Sequence, residues 1–128
     1  MKALLDTHTF LWWVSGGSEI PDRARAVIED SDATILFSAA SAWEIAIKAA
    51  RGRLQLPQSP ERFVPARVRR HRLTVLDVTL LHALRAGALP GIHADPFDRL
   101  LVAQAQLEGI PILTADPAIG RYEVETIW

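Results

Sequence analysis

Two stretches decide how this chain folds: Leu4-Leu5-Asp6-Thr7-His8 near its start and Ile112-Leu113-Thr114-Ala115-Asp116 near its end. Each is an apolar run that stops on an aspartate, and a buried strand has no structural need to finish on a negative charge. Similar apolar runs occupy residues 2–5, 34–37, 73–78 and 110–113, with a weaker one at 122–128. Between them lie helical patterns at residues 21–29, 41–50, 59–70, 79–89 and 95–108, the second closing on Gly52 and the last on Gly109. Pro65 is expected to break or kink the third of these. Nearly continuous apolar strands that alternate with helices predict an α/β domain in which helices cover both faces of a mainly parallel sheet. In such sheets ligands sit outside the carboxyl ends of the strands. Asp6, Ser38 and Asp116 each fall at such an end.

The chain has 128 residues, 49% hydrophobic and 23% charged. That suits one domain over residues 1–128, able to bury about two-thirds of its unfolded surface. Cysteine is absent, which excludes disulfides, thiolate metal sites and thiol nucleophiles and fits a reducing cytoplasmic setting. A formal charge of −1 gives no bulk attraction to nucleic acid or membrane, so any such attraction is local. Residues 9–14 fall far short of the roughly 20 apolar residues that span a bilayer, and Asp6 interrupts the only candidate signal segment. A soluble cytoplasmic protein with no membrane partner is expected.

Each acid has a structural alternative. Ser41 and Glu44 form an S-x-x-E capping box, with Lys48 placed to pair with the glutamate. Asp95 precedes Pro96 and suits a helix N-cap, Asp98 falls in a first turn where the helix dipole favours an anion, and Asp116-Pro117 is a common turn opener. Together, however, four acids fall at strand ends or in first helical turns, which converge on one edge of a parallel sheet. Four neighbouring carboxylates repel one another unless a cation neutralises them. An oxygen-rich set without cysteine suits Mg²⁺ or Mn²⁺ rather than zinc. His8 or His93 could join Asp95 in a zinc site, but neither offers the i, i+4 histidine pair of a zincin helix. His71 and His82 read as ordinary surface or half-buried residues. Mg²⁺ held by a few carboxylates is completed by water and substrate phosphates, so phosphodiester hydrolysis fits best.

The blocks "LLDTH" at residues 4–8, "SAWEIAIK" at 41–48, "HADPFDRLLVAQA" at 93–105 and "LTAD" at 113–116 resemble those of PIN-domain ribonucleases, and more closely the VapC-type toxins of toxin-antitoxin operons. The resemblance implies a three-layer α/β/α domain that cuts RNA with Mg²⁺ or Mn²⁺. It implies metal ligation by Asp6, Glu44, Asp98 and Asp116, with Thr114 as the hydroxyl beside the last acid. Asp95 matches the same block and reads as a cap or supporting residue. A homodimer and a groove for a small antitoxin protein are implied as well.

Basic residues supply the other half of an RNA site. Arg67, Arg69, Arg70 and Arg72 cluster around His71, and Lys48, Arg51 and Arg53 mark the end of the glutamate helix. Either group could hold phosphates without reading sequence, although the first also reads as a solvated helix face. Arg99 is placed to neutralise the acids when metal is absent. Phe10, Trp12 and Trp13 exceed what one short helix needs for its core, and the surplus suits an interface. Two alternatives stand beside the toxin: a PIN nuclease of RNA processing, and a non-catalytic RNA-binding protein whose acids are caps.

Overall fold

The computed structural model describes residues 1–128. Five strands, β1 (Lys2–Leu5), β2 (Thr34–Ser38), β3 (Thr74–Leu76), β4 (Ile112–Leu113) and β5 (Thr126–Ile127), form one sheet in the order β3-β2-β1-β4-β5. Every pairing is parallel. Six helices connect them: α1 (Thr7–Val14), α2 (Asp22–Glu29), α3 (Ala39–Ala50), α4 (Pro60–Arg70), α5 (Leu80–Ala88) and α6 (Pro96–Glu108).

The period-2 alternation of the strands divides the core. Ala3, Leu5, Ile35, Phe37 and Leu113 face one side and pack with Phe10, Ala24, Ile45, Phe63 and Val68 from α1 to α4. Leu4, Leu36 and Ile112 face the other, against Leu101, Val102 and Ala105 of α6. This is the α/β/α sandwich expected. It follows from right-handed crossovers: the chain steps outward from β1 through β2 to β3 with its helices on one face, then returns past β1 to β4 with α5 and α6 on the other. The reversal puts a topological switch point between β1 and β4, where an open parallel sheet offers a crevice. Asp6 and Thr114 are the first residues beyond those two strands.

Helix α4 is not interrupted at Pro65, contrary to expectation. Pro65 is exposed, and the N–H it lacks would have served only the Glu61 carbonyl in the solvated first turn. Burial of Phe63, Val64 and Val68, about 2 kcal/mol each, outweighs the roughly 3 kcal/mol cost of an interior proline. The weak strand at residues 122–128 shrinks to Thr126–Ile127, because the chain bends through 122–124 before it pairs with β4.

Candidate metal centre

Helix α3 begins earlier than its sequence suggests. Ser38, the last residue of β2, is the N-cap and accepts the amide of Ala40 at 3.0 Å, so the expected Ser41–Glu44 capping box does not form. Glu44 instead lies in the second turn, turned inward and only 2% exposed. Its Oε1 accepts the Thr7 hydroxyl at 2.7 Å and its Oε2 meets Lys48 Nζ at 2.5 Å. Thr7 Oγ1 also stands 2.9 Å from Ser41 Oγ, tying α1 to α3 beside the glutamate.

Asp6 is 5% exposed. Its Oδ1 caps α1 by accepting the Thr9 amide at 2.7 Å, and its Oδ2 accepts the Thr114 hydroxyl. The Thr114 oxygen in turn accepts the Asp116 amide at 3.0 Å, so one hydroxyl fixes the spacing of both strand-end aspartates. Asp116 Oδ1 accepts the Ala118 amide at 2.9 Å, which leaves Oδ2 free to face inward.

Asp95 is the N-cap of α6, accepting the amides of Phe97 and Asp98 at 2.8 and 3.2 Å. Pro96 opens the helix, a position where a missing N–H costs nothing. The first turn thereby delivers Asp98, whose Oδ2 lies 2.9 Å from His93 Nε2. The same nitrogen is 4.0 Å from Asp116 Oδ2. One ligand atom from each of His93, Asp98 and Asp116 falls within a 4.8 Å group. Asp6 and Glu44 lie outside that group: Asp6 is tied to Asp116 through Thr114, and Glu44, on α3, is near enough for its charge to act on Asp98. Asp98 and Asp116 thus come together with His93, while both oxygens of Asp6 and of Glu44 already accept hydrogen bonds.

A family model of the PIN domain matches residues 3–125. The chain belongs to the PIN domain family. Ribonuclease VapC16 of Mycobacterium tuberculosis (strain ATCC 25618 / H37Rv) is 39% identical to it over 77 residues, 59% of this chain and 55% of that protein. The chain therefore spans about half the length of the curated relative it matches. Among solved structures, VapBC2 from Rickettsia felis bound to a promoter DNA fragment aligns over 100% of both chains, with a TM-score of 0.70 and 16% identity. VapBC-1 from nontypeable Haemophilus influenzae aligns over 98% of this chain and 96% of that one, with a TM-score of 0.65 and 17% identity. At such identities the likeness concerns the fold.

Several residues of this PIN domain stand elsewhere than expected. Arg99 does not reach the acids. It donates to the carbonyls of Ala86, Leu89 and Pro90 at 2.9, 3.0 and 2.9 Å and to that of His93 at 3.4 Å. It thus closes the end of α5 and pins the loop that carries His93. Tyr122 Oη holds the same loop by accepting the His93 amide at 2.9 Å. His82 is 2% exposed rather than a surface residue. Its Nδ1 accepts the Thr79 amide and its Nε2 faces Glu108, each about one hydrogen bond away at 3.0 and 3.2 Å.

Arg67, Arg69, Arg70 and Arg72 sit at the end of α4 and in the turn that enters β3. That turn lies where strands begin, and the acids lie where they end. β2 alone separates the two edges by about 13 Å, so this cluster and the acids do not form one continuous site. Phe10 is fully buried against Phe37, with ring centroids 4.2 Å apart. Trp12 packs on Trp128, and Trp13 packs between Arg25 and His71. No helix is long and apolar enough to cross a membrane.

Burial, the Asp95 carboxylate and then Glu44 push Asp98 up to about 6, against the opposing hydrogen bond from His93. Since the folded state disfavours the ionised carboxyl, Asp98 stabilises the metal-free protein fully below about pH 4 and loses that contribution as pH rises through about 6. In chelating buffer Asp98→Asn is therefore expected to be more stable than the parent by about 2–3 kcal/mol at pH 8 and level with it near pH 4. Urea unfolding across that range checks this. A variant less stable at every pH would show that Asp98 is held by favourable contacts alone.

Proposed function

We propose that this chain is a divalent-metal-dependent endoribonuclease and the toxin of a toxin-antitoxin pair. The observation that carries this reading is the meeting of Asp98, Asp116 and His93 within 4.8 Å at the switch point of a parallel sheet, with Asp6 and Glu44 beside them. PIN membership and the name of the relative, a ribonuclease, support it.

Oxygen donors with one imidazole fit Mg²⁺ or Mn²⁺. Asp98, Asp116 and Asp6 would hold the ion with Glu44 on the α3 side, and His93 would orient Asp98 and Asp116. Such an ion, when bound, lowers the pKa of a water and neutralises charge developing at phosphorus. The remaining residues position these groups. Thr114 fixes Asp6 relative to Asp116, Thr7 orients Glu44, and Lys48 offsets the charge that Glu44 brings into the pocket.

The RNA substrate reaches the acids from the α3 side, where Lys48, Arg51 and Arg53 line a groove together with Glu44 and Asp95. Arg67, Arg69, Arg70 and Arg72, on the far edge, would contact only RNA that extends beyond the cut. An antitoxin segment has a groove on the α1 side: Asp6, His8, Trp12 and Asp116 line a depression that continues along His8 and Trp12 to Leu11, Ile45 and Leu54 and meets the RNA groove at Lys48 and Arg53. An apolar stretch with an arginine at its end would seat in that groove and pair with the acids. The homodimer has a candidate face on α5, where Leu80, Leu81 and Leu84 are 75%, 67% and 62% exposed, more apolar surface than an isolated chain needs.

The test is incubation of purified protein with total RNA, with Mn²⁺ or with chelator, followed by mapping of the new ends. Discrete internal cuts that require the ion are expected. Intact RNA under both conditions would favour a non-catalytic binding protein.

A further inference from the structure

Trp43 stands apart from the other tryptophans. It is 62% exposed, whereas Trp12, Trp13 and Trp128 pack against partners within the chain. Its one aromatic neighbour is Phe97, edge-on at 5.4 Å and 80°. Each member of the pair precedes an acid of the candidate centre: Trp43 precedes Glu44 on α3, and Phe97 precedes Asp98 on α6. The pair therefore sits on the rim of the acid cluster, held by the same two helix turns that aim the carboxylates.

Cations lie on the same flank. The groove that Phe97 lines with Glu44 and Asp95 also contains Lys48, Arg51 and Arg53. Lys48 is engaged by Glu44, but neither Arg51 nor Arg53 has a carboxylate within 4.0 Å, and both are exposed. Phe97, the ring against which Trp43 packs, lines the groove with the unpaired arginines, and an aromatic pair at the edge of such a groove matches a polyanion that carries flat rings. An acidic protein segment would supply anions for the arginines but no flat rings for the aromatic pair, whereas a single nucleic-acid strand supplies both. A base inside a duplex cannot reach such a pair, because its own neighbours already cover it.

We propose that the Trp43–Phe97 pair is a stacking platform for one base of single-stranded RNA beside the cut, with Arg51 and Arg53 holding adjacent backbone phosphates. This rests on the ribonuclease reading and deepens it: the platform makes the substrate a single strand or loop and biases the nucleotide next to the scissile bond toward strongly stacking bases. Stacking on one aromatic side chain tolerates any base and contributes affinity without hydrogen-bond readout.

The experiment is steady-state cleavage of a short single-stranded RNA in Mn²⁺ by the parent, Trp43→Ala, Trp43→Phe and the double variant Arg51→Gln/Arg53→Gln, over a range of salt. Trp43→Ala is expected to raise KM about tenfold with kcat little changed, and Trp43→Phe to recover most of the loss. The double variant is expected to lower the magnitude of the salt slope of log kcat/KM by about 1.4, two phosphate contacts on a single strand. Unfolding at the parent temperature checks that Trp43→Ala folds, as an exposed position allows. If the parent cuts RNA and Trp43→Ala cuts it with unchanged KM, the platform is overturned while the ribonuclease reading stands. An unchanged KM together with a changed mass in sedimentation assigns the pair to a protein contact and overturns it equally. A parent that cuts no RNA overturns both.

Discussion

Asp98→Asn and Asp116→Asn are expected to lose RNA cleavage by about a thousandfold while unfolding cooperatively at the same temperature as the parent or a higher one. The two carboxylates meet within 4.8 Å around His93, and in metal-free protein burial, then the charges of Asp95 and Glu44, push the Asp98 carboxyl up to about 6. Removing one charge relieves that repulsion but takes away a donor that the ion and its water need. Asp6→Asn and Glu44→Gln should lose activity comparably with a stability cost. Asp6 caps α1 through the Thr9 amide, a bond whose loss costs about 1 kcal/mol, and Glu44→Gln leaves Lys48 without its charged partner. Gel-based cleavage rates beside thermal unfolding curves separate the two effects. Four variants that cut RNA normally, each about 1 kcal/mol less stable, would mark the acids as helix caps.

Expression of the chain by itself should arrest growth, and co-expression of a small protein encoded beside it should restore growth. A ribonuclease free in the cytoplasm damages its own cell, so a toxin needs an inhibitor that reaches its active centre. The groove along Trp12, Leu11 and Ile45 ends at Asp6 and Asp116, so an inhibitor anchored by apolar side chains there could place an arginine among the carboxylates. Inhibitor and metal would then compete, and excess Mn²⁺ should weaken the complex in a pull-down. Harmless expression of a soluble form that still cuts RNA would point to a processing nuclease instead.

Much of this architecture was legible before any coordinates. Apolar runs ending at Asp6, Ser38 and Asp116 mark both the strands and the edge where they stop, because parallel strands are apolar on both faces and their carboxyl ends open on a crevice. The Asp95-Pro96 start and Gly109 stop of α6 are local signals and sat where they were read. What depends on neighbours in space is not legible locally. Ser41 and Glu44 carry the spacing of a capping box, yet the cap is Ser38, so Glu44 lies past the free amides of the helix start and its carboxylate meets Thr7 and Lys48 instead. His93 lies in a loop without periodicity, positioned by Tyr122 from a distant segment and by Arg99 at the start of α6, although its place in the block shared with Asp95 and Asp98 is the available hint. Arg99 has the composition of a counter-ion and the role of a helix-end clamp, a distinction only the carbonyls of α5 reveal. The arginines of α4 had an unused clue: a helix that feeds the start of a parallel strand must end on the edge away from the site.

The most direct measurement is calorimetric titration of Mn²⁺ into the metal-free protein and into Asp98→Asn at pH 7.5. The account predicts saturable binding to the parent, with the affinity lost or reduced at least about tenfold in the variant, where the ion has one carboxylate fewer to neutralise. Absence of saturable binding to the parent, or equal binding by both proteins, would contradict it.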